Sequence, residues 1–402
     1  MKKNIFKSGG FQSLLASLLC IVLGLFLGYL VLLLINPAGA GEAILTVIKN
    51  FMTYNRPASQ LKYFGNTLVK TAPLLMCALA ILFAYKVGLF NIGAAGQYCF
   101  GVALSLYAAL GLGWSWLPCL LVAMAGGAVL GAISGVLKSY CNVNEVISGI
   151  MLNWIFLYAA NMILTNVKEV ASPYTYQMHS AAQQALLPSL GLDKLFSGNQ
   201  YVTIAIPLAI LMAILVWVVL EKTRFGYELK ATGFNKHAAK YCGMAERRNT
   251  VLTLAIAGGL AALGGSLLYQ TGYEQWQCTH SSVPNMGFNG ICAAFLGGLN
   301  PIGAIFSSFF IQHITSGGAY VDKSLYCSQI SDLITAIIIY MCGFVLFLKT
   351  AMNNAAARRE ERQRLAAGSA DNAPETAPAS DPEREAASPQ ASADSEKGGE
   401  AQ

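Results

Sequence analysis

Amide side chains set among glycines are the groups in this sequence whose types and spacing suggest ligand binding. Residues 88–97 (GLFNIGAAGQ) interrupt an apolar stretch with Asn91 and Gln97, and residues 287–301 (GFNGICAAFLGGLNP) carry Asn289 in a similar setting. An amide both donates and accepts hydrogen bonds, and a glycine-rich break leaves backbone groups free to face a cavity. Close packing, with the amides bonded between helices, explains the same features, so both interpretations stay open.

The usual catalytic and metal-binding patterns do not occur in this chain. The sequence has no Gly-Lys dipeptide, and therefore no phosphate-binding P-loop, and no Gly-x-Ser-x-Gly nucleophile motif. Its histidines, His179, His237, His280 and His313, are too far apart for a zinc pair on one helix. We therefore expect no catalytic residue, no metal site and no cofactor on this chain.

The composition indicates the elements that must position these amides. Of 402 residues, 55% are hydrophobic and only 11% are charged, where a soluble domain has about 25% charged residues. We therefore expect an all-α integral membrane protein, because a lone helix satisfies its own backbone hydrogen bonds in lipid. About ten transmembrane helices are predicted, at residues 14–35, 67–85, 94–110, 117–137, 146–164, 202–220, 251–270, 290–299, 302–314 and 330–348.

The eighth and ninth apolar runs are too short to span the bilayer comfortably, and an Asn-Pro pair at 300–301 separates them. Half-helices or a tight hairpin are expected here. The Phe-Asn pairs at 90–91 and 288–289 follow the second and seventh predicted spans, which run in opposite directions. Matching interruptions in oppositely oriented halves are typical of transporters built from two inverted repeats with broken helices.

Basic residues concentrate on one predicted side of the membrane. Lys86 and Lys138 end the second and fourth spans, and residues 221–248 contain seven Lys and Arg. By the positive-inside rule this side is cytoplasmic, together with the N-terminus and, after ten crossings, the C-terminus. Residues 349–402 hold 10 acidic against 7 basic residues and few large apolar ones, so we expect a disordered acidic tail.

The loop at 221–248 has two explanations. Its centre bears the small residues Ala238, Ala239 and Gly243 among lysines, which could seat in a cleft of a partner protein. A positive-inside anchor explains the charges, but it does not explain the spacing of the small residues.

Four segments resemble, in order, a known family. Residues 88–97, 144–155 (NEVISGIMLNWI), 228–244 (ELKATGFNKHAAKYCGM) and 287–304 (GFNGICAAFLGGLNPIGA) are similar to permease subunits of bacterial ABC importers of the branched-chain amino acid and simple-sugar superfamily, and within it to nucleoside-type permeases. The chain departs from the family at Ala95, where a Glu is usual, so any contact of that acid in relatives does not carry over.

The resemblance implies roles for two sets of residues. The cytoplasmic loop resembles the coupling helix that docks on the ATP-hydrolysing subunit, through Glu228, Gly233, Ala238, Ala239 and Gly243. The substrate pathway is expected at Phe90, Asn91, Gln97, Asn153, Trp154 and Asn289. The amides and rings of the second set suit a neutral hydroxylated substrate.

The resemblance also implies partners and a location. We expect a plasma-membrane permease that forms the pathway for a nucleoside or simple sugar by alternating access. ATP and Mg²⁺ would bind a cytoplasmic subunit with two nucleotide-binding domains. A second homologous permease and an extracytoplasmic substrate-binding (lipo)protein would complete the importer. The identity of the substrate, and whether the permease pair is homo- or heterodimeric, stay open.

Three parts of the chain are expected: a first helix with its outer loop (1–66), a permease core (67–348) that contains the coupling loop (221–249), and the tail (349–402). Cys278 and Cys327 both fall in predicted outer loops, and whether they form a disulfide is open. The alternatives to an ABC permease are an ion-coupled secondary transporter of a small neutral solute and a membrane scaffold or receptor that transports nothing.

Overall fold

The computed structural model describes residues 9–322, 324–326 and scattered positions between 333 and 358, with side chains from residue 15. In these residues the regular structure is helical, and β structure is limited to the isolated bridges Lys168–Thr175 and Tyr174–Gln277. The α-helices are α1 (Gly9–Ile35), α2 (Ala40–Lys49), α3 (Pro57–Lys86), α4 (Ala94–Leu106), α5 (Trp116–Tyr140), α6 (Glu145–Leu164), α7 (Met178–Ala181), α8 (Leu192–Leu195), α9 (Ala205–Lys222), α10 (Arg224–Phe234), α11 (Lys236–Tyr241), α12 (Glu246–Tyr269), α13 (Asn285–Leu296) and α14 (Pro301–Gly318).

Seven of the described helices are long and apolar enough to cross a membrane: α1, α3, α4 with its π-helical extension Tyr107–Gly111, α5, α6, α9 and α12. They correspond to the first seven predicted spans, and the chain is an all-α integral membrane protein. The helix of the second span begins at Pro57, ten residues before the predicted start. The tenth predicted span, 330–348, and the predicted tail lie largely outside the described residues.

The eighth and ninth apolar runs form a helical hairpin, α13 and α14. The connection at 297–300 turns through positive φ angles at Gly298 and Leu299. The Asn300 side chain then accepts a hydrogen bond from the Ile302 N–H (2.9 Å) and caps α14, whose first residue is Pro301. With 12 residues, α13 is about 18 Å long, so it is too short to cross about 30 Å of hydrocarbon.

Helices α3 and α12 form the centre of the bundle. In an apolar stretch of 18 residues within each helix, 89% of α3 and 78% of α12 are buried. Glycines allow their neighbours to approach closely. Gly127 and Gly131 of α5 lie against the backbone of α12 at Gly258 and Leu254, and Gly101 of α4 lies against Ala262. Such small-residue contacts drive helix association in lipid, where apolar side chains gain little by leaving the tails.

The two central helices have equivalent partners. α3 packs on α13 and α14, which follow α12, and α12 packs on α4 and α5, which follow α3. Val87, just after α3, lies against Gly233, while Asn249 in the first turn of α12 donates to the hydroxyl of Thr232 (3.0 Å). Because Thr232 and Gly233 are adjacent, α3 ends where α12 begins, and the two run antiparallel. The fold thus contains two inverted repeats.

The helices α4 and α13, one from each repeat, meet inside the bundle. Gly287, in the first turn of α13, lies so close to Ala95, in the first turn of α4, that a Cβ on Gly287 would be 2.5 Å from the Cα of Ala95. Both residues are buried. The broken helices expected from the sequence are therefore α4 and α13, and they begin at interior positions.

The chain divides into two units, Met1–Met352 and Asn353–Gln402, and all helices named above belong to the first. The second unit lies almost wholly outside the described residues. Cys278 is buried, and Cys327 lies outside the described residues, so whether the two form a disulfide stays open.

Candidate functional site

Three of the predicted pathway residues form one amide cluster, Asn91, Gln97 and Asn153. Asn91 donates its side-chain N–H to the Gln97 Oε1 (2.9 Å) within the α3–α4 connection and the first turn of α4. Asn153 of α6 accepts from the Gly96 N–H (2.8 Å) and donates to the Ile92 carbonyl (3.0 Å). All three amides are buried.

The amide cluster fastens α6 to the start of α4. A Cβ on Gly96 would lie 2.7 Å from the Cα of Asn153, so glycine is needed for the backbone N–H to reach the amide. On the α6 side, Gly149 lies against Gly93 in the same way. These contacts are those of interhelical packing, one of the two interpretations that the sequence leaves open, and a pathway role for the three amides stays a prediction.

The other three predicted pathway residues lie apart from the amide cluster. Trp154 is 42% exposed on the outer face of α6 and stacks on Tyr158, with ring centroids 6.4 Å apart. Phe90 is half-buried in the α3–α4 connection, and Asn289 is half-buried in the second turn of α13. Among the described residues, the hydrogen bonds of the amide cluster do not include Asn289.

One end of the bundle, which we name the basic end, carries α10 and α11. A Cβ on Gly233 would collide with the backbone of Val87. Gly88, the residue after Val87, adopts a positive φ of 73°. Thr232 is buried between Glu228, whose carbonyl accepts its hydroxyl (2.8 Å), and Asn249. α10 is therefore attached both to the end of α3 and to the start of α12.

The five predicted coupling residues face different surroundings. Gly233 and Ala239 contribute to packing within this chain, and Glu228 is half-buried. Ala238 is exposed, and Gly243 has open space around its Cα and a φ of 80°.

Two aromatic residues that the sequence analysis did not select stand out at this end: Phe234 is 96% exposed and Tyr241 is 93% exposed. Phe234 is the last residue of α10, and Tyr241 is the last residue of α11. The signal that could have found them is the presence of large aromatic residues in a loop that is otherwise basic and small.

The opposite end carries a tyrosine cluster, which we define as Tyr54, Tyr63, Tyr201, Tyr273 and Tyr320. Tyr54 and Tyr63 stack in parallel at 4.2 Å, and Tyr320 stands perpendicular to both at 5.6 and 6.2 Å. Tyr273 contacts Tyr201 edge-on at 5.2 Å. All five are half-buried.

An ion pair lies beside the tyrosine cluster. The Lys70 Nζ is 3.3 Å from the Glu274 Oε1 and 5.1 Å from the centroid of the Tyr273 ring. The Lys70 and Glu274 side chains are 31% and 37% exposed. Burial raises the pKa of Tyr273 and of Tyr320, so both hydroxyls are neutral near pH 7 and can donate hydrogen bonds.

Neither Lys70 nor Glu274 was selected from the sequence as a site residue. Lys70 and Glu274 are 204 residues apart and meet only because α3 and α12 pack antiparallel. A usable signal existed within α3, because Tyr63 and Lys70 are seven residues apart and therefore share one helix face.

In the part of the chain that the structure describes, no three His, Cys, Asp or Glu side chains gather in a way that could hold a metal ion. The described polar groups near the two clusters include amides, hydroxyls, one compensated ion pair and the imidazole of His179, which contacts Tyr201. Such groups bind and orient a neutral molecule, and they do not supply a nucleophile with an adjacent base.

Comparison with known proteins identifies the family. Residues 63–343 match the family described as branched-chain amino acid transport system / permease component. The guanosine ABC transporter permease protein NupP of Bacillus subtilis (strain 168) is 31% identical over 332 residues, 81% of this chain and 92% of that protein. The nucleoside ABC transporter permease protein NupB of Lactococcus lactis subsp. cremoris (strain MG1363) is 29% identical over 86% of this chain and 95% of that protein.

A sugar permease is also similar. The glucose ABC transporter permease protein TsgB13 of Haloferax volcanii is 27% identical over 69% of this chain and 75% of that protein. No solved structure matches the chain. Since the family match covers well over half of the sequence and includes both repeats, the chain belongs to the branched-chain amino acid transport system / permease component family, as a multi-pass plasma-membrane subunit of an ABC importer with a transport rather than a catalytic role.

Proposed function

We propose that this chain forms the translocation pathway of an ATP-driven importer for a nucleoside and works by alternating access. The observation that carries the proposal is the similarity to two permeases named for guanosine and nucleoside transport, which extends over nearly the whole length of each. A simple sugar is the second candidate, supported by the shorter match to a glucose permease.

The basic end is the cytoplasmic side in this proposal. α3, α5 and α9 each carry a Lys in their last turn, and α10, α11 and the first turn of α12 add further Lys and Arg. This distribution follows the positive-inside rule, from which Lys49, Arg56 and Lys62 at the opposite end depart. Both termini would be cytoplasmic, and the tyrosine cluster would face the outside, where a substrate-binding protein delivers the ligand.

α10 and α11 provide the coupling element in this proposal. The exposed rings of Phe234 and Tyr241 would dock on a cytoplasmic ATP-binding subunit, which holds the ATP and Mg²⁺. Exposed aromatic side chains are the residues that most often dominate such interfaces. Because Gly233 rests on Val87 and Thr232 is bonded to Asn249, a displacement of α10 acts directly on α3 and α12. Both repeats would therefore move together.

The remaining predicted residues fit this scheme in two groups. Trp154, on the exposed face of α6, would line the pathway against a second permease subunit. Asn91, Gln97 and Asn153 would fix the packing of α4 against α6 behind Trp154. Phe90 and Asn289 would lie near the starts of α4 and α13.

Copurification tests the coupling proposal. The chain is extracted in mild detergent with its native partners, and the ATPase activity of the complex is measured. Replacing Phe234 and Tyr241 together with Ala should reduce binding of the ATP-binding subunit about thirtyfold, since interface hot spots cost about 2 kcal/mol or more. Tyr174→Ala, an exposed residue at the opposite end, serves as the control. A wild-type chain that purifies without any ATP-binding subunit would contradict the proposal.

A further inference from the structure

We propose that the tyrosine cluster and the Lys70–Glu274 pair together form a nucleoside-binding site at the outer entrance of the pathway. The inference rests on the proposed function, since the outer side and the ligand class come from it. The residues, their contacts and their selectivity are read from the geometry.

The depth of the ion pair is the first argument. Lys70 precedes Lys86, the last residue of α3, by 16 positions, which is about 24 Å along the helix. With Lys86 at one membrane boundary, Lys70 lies within the roughly 30 Å hydrocarbon layer. Lys70 is therefore about 6 Å inside the opposite boundary, where a charged side chain either reaches the interface or faces a water-filled cavity. The partial exposure of both side chains agrees with a cavity.

The convergence of the rings is the second argument. The five tyrosines come from five places: the turn before α3, α3 itself, the α8–α9 connection, the connection after α12, and the residues just after α14. Tyrosines of a membrane-interface belt would each face the headgroups separately. Here the rings form two contacting groups, Tyr54–Tyr63–Tyr320 and Tyr201–Tyr273. Lys70 lies over the Tyr273 ring and shares α3 with Tyr63, so the two groups and the ion pair lie side by side at this end.

The chemistry of the tyrosine cluster and the Lys70–Glu274 pair suits a nucleoside. Half-buried ring faces can stack a planar base. Glu274 uses one carboxylate oxygen for Lys70, and because a carboxylate accepts about four hydrogen bonds it can still accept from ribose hydroxyls. The pair carries no net charge, so it offers no counter-charge for a phosphate. The site should therefore favour a nucleoside over the corresponding nucleotide.

The test uses the purified importer complex without its substrate-binding protein, so that any labelling reports on the permease. Tritiated 8-azidoguanosine is photolysed on the complex, and the labelled peptides are mapped by mass spectrometry. We expect label in peptides that contain the tyrosine cluster. Unlabelled guanosine should compete with the label, and guanosine monophosphate should not.

Variants separate ligand binding from packing. Tyr273→Leu should raise the guanosine concentration for half-competition about tenfold or more, the range for loss of one base–aromatic stack, whereas Tyr273→Phe should stay within about twofold. Glu274→Gln leaves Lys70 uncompensated and should make guanosine monophosphate a competitor. Tyr176→Leu, at an exposed tyrosine in another part of the same end, is the matched control and should behave like the wild type.

Label confined to other segments, or unchanged competition in Tyr273→Leu, would overturn the inference. ATP-dependent guanosine uptake by the wild-type importer is measured in parallel. Normal uptake with no label at the cluster would reject the site and keep the proposed function. Absence of ATP-dependent uptake would reject the proposed function.

Discussion

The amide cluster and the tyrosine cluster are both built from hydrogen-bonding side chains that join different helices or connections, yet their surroundings are opposite. Asn91, Gln97 and Asn153 are buried, and each has a partner within the protein. The tyrosines and Lys70–Glu274 are half-exposed, so their polar atoms remain accessible from outside the protein. The difference teaches that residue type alone does not mark a ligand site in a membrane. A polar group that is already satisfied holds helices together, and one with remaining capacity is available to a ligand.

The largest effect on stability is expected at the amide cluster. Asn153→Leu removes two hydrogen bonds and leaves the buried Gly96 N–H and the partly buried Ile92 carbonyl without the amide partner. Each unsatisfied group costs about 1–3 kcal/mol, so the free energy of unfolding should fall by about 2–6 kcal/mol. Thermal unfolding of the detergent-purified chain measures this. Asn166→Leu, where the amide is exposed, is the control. An Asn153→Leu variant that is as stable as the control but deficient in transport would break the comparison.

A double-mutant cycle at Asn91 and Gln97 should give an intermediate effect. Asn91→Leu or Gln97→Leu alone strands the other buried amide and should cost about 1–3 kcal/mol, while the double variant should be less destabilised than the sum of the two. Stability and guanosine uptake are measured for all four proteins. Uptake that fails in the double variant despite restored stability would assign these amides to the substrate pathway instead.

The smallest effect on stability is expected at the tyrosine cluster. Tyr63→Phe keeps the ring that stacks on Tyr54 at 4.2 Å and removes only a hydroxyl. The free energy of unfolding should change by no more than about 0.5 kcal/mol, as for a surface substitution. A loss of several kcal/mol in the same unfolding assay would show that the tyrosine cluster is a packed core like the amide cluster.

The sequence was a good guide to the spans and to the breaks between them. Continuous apolar runs predicted the seven candidate spans, and the Asn-Pro pair at 300–301 predicted the α13–α14 hairpin, because both depend on local chemistry. The repeats were also accessible, since Phe-Asn pairs recur at 90–91 and 288–289. The structure places these pairs in different local settings, one in a connection and one inside α13.

Contacts between distant helices were not predictable from local patterns. The sequence named Asn153 but could not show that its amide bonds to the α3–α4 connection, 57 and 61 residues away. Glu274 follows the seventh predicted span, 204 residues from Lys70, and only the antiparallel packing of α3 and α12 brings the two side chains together. Gly233 was selected as a surface position for a partner, although its small size serves the contact with Val87.

Guanosine accumulation in proteoliposomes tests the central claim most directly. The complete importer is reconstituted with its substrate-binding protein outside and ATP inside, and tritiated guanosine is followed with time. The account predicts accumulation against a gradient that requires hydrolysable ATP and persists when ion gradients are dissipated. Accumulation that follows an ion gradient and ignores ATP, or no accumulation of guanosine at all, would contradict it.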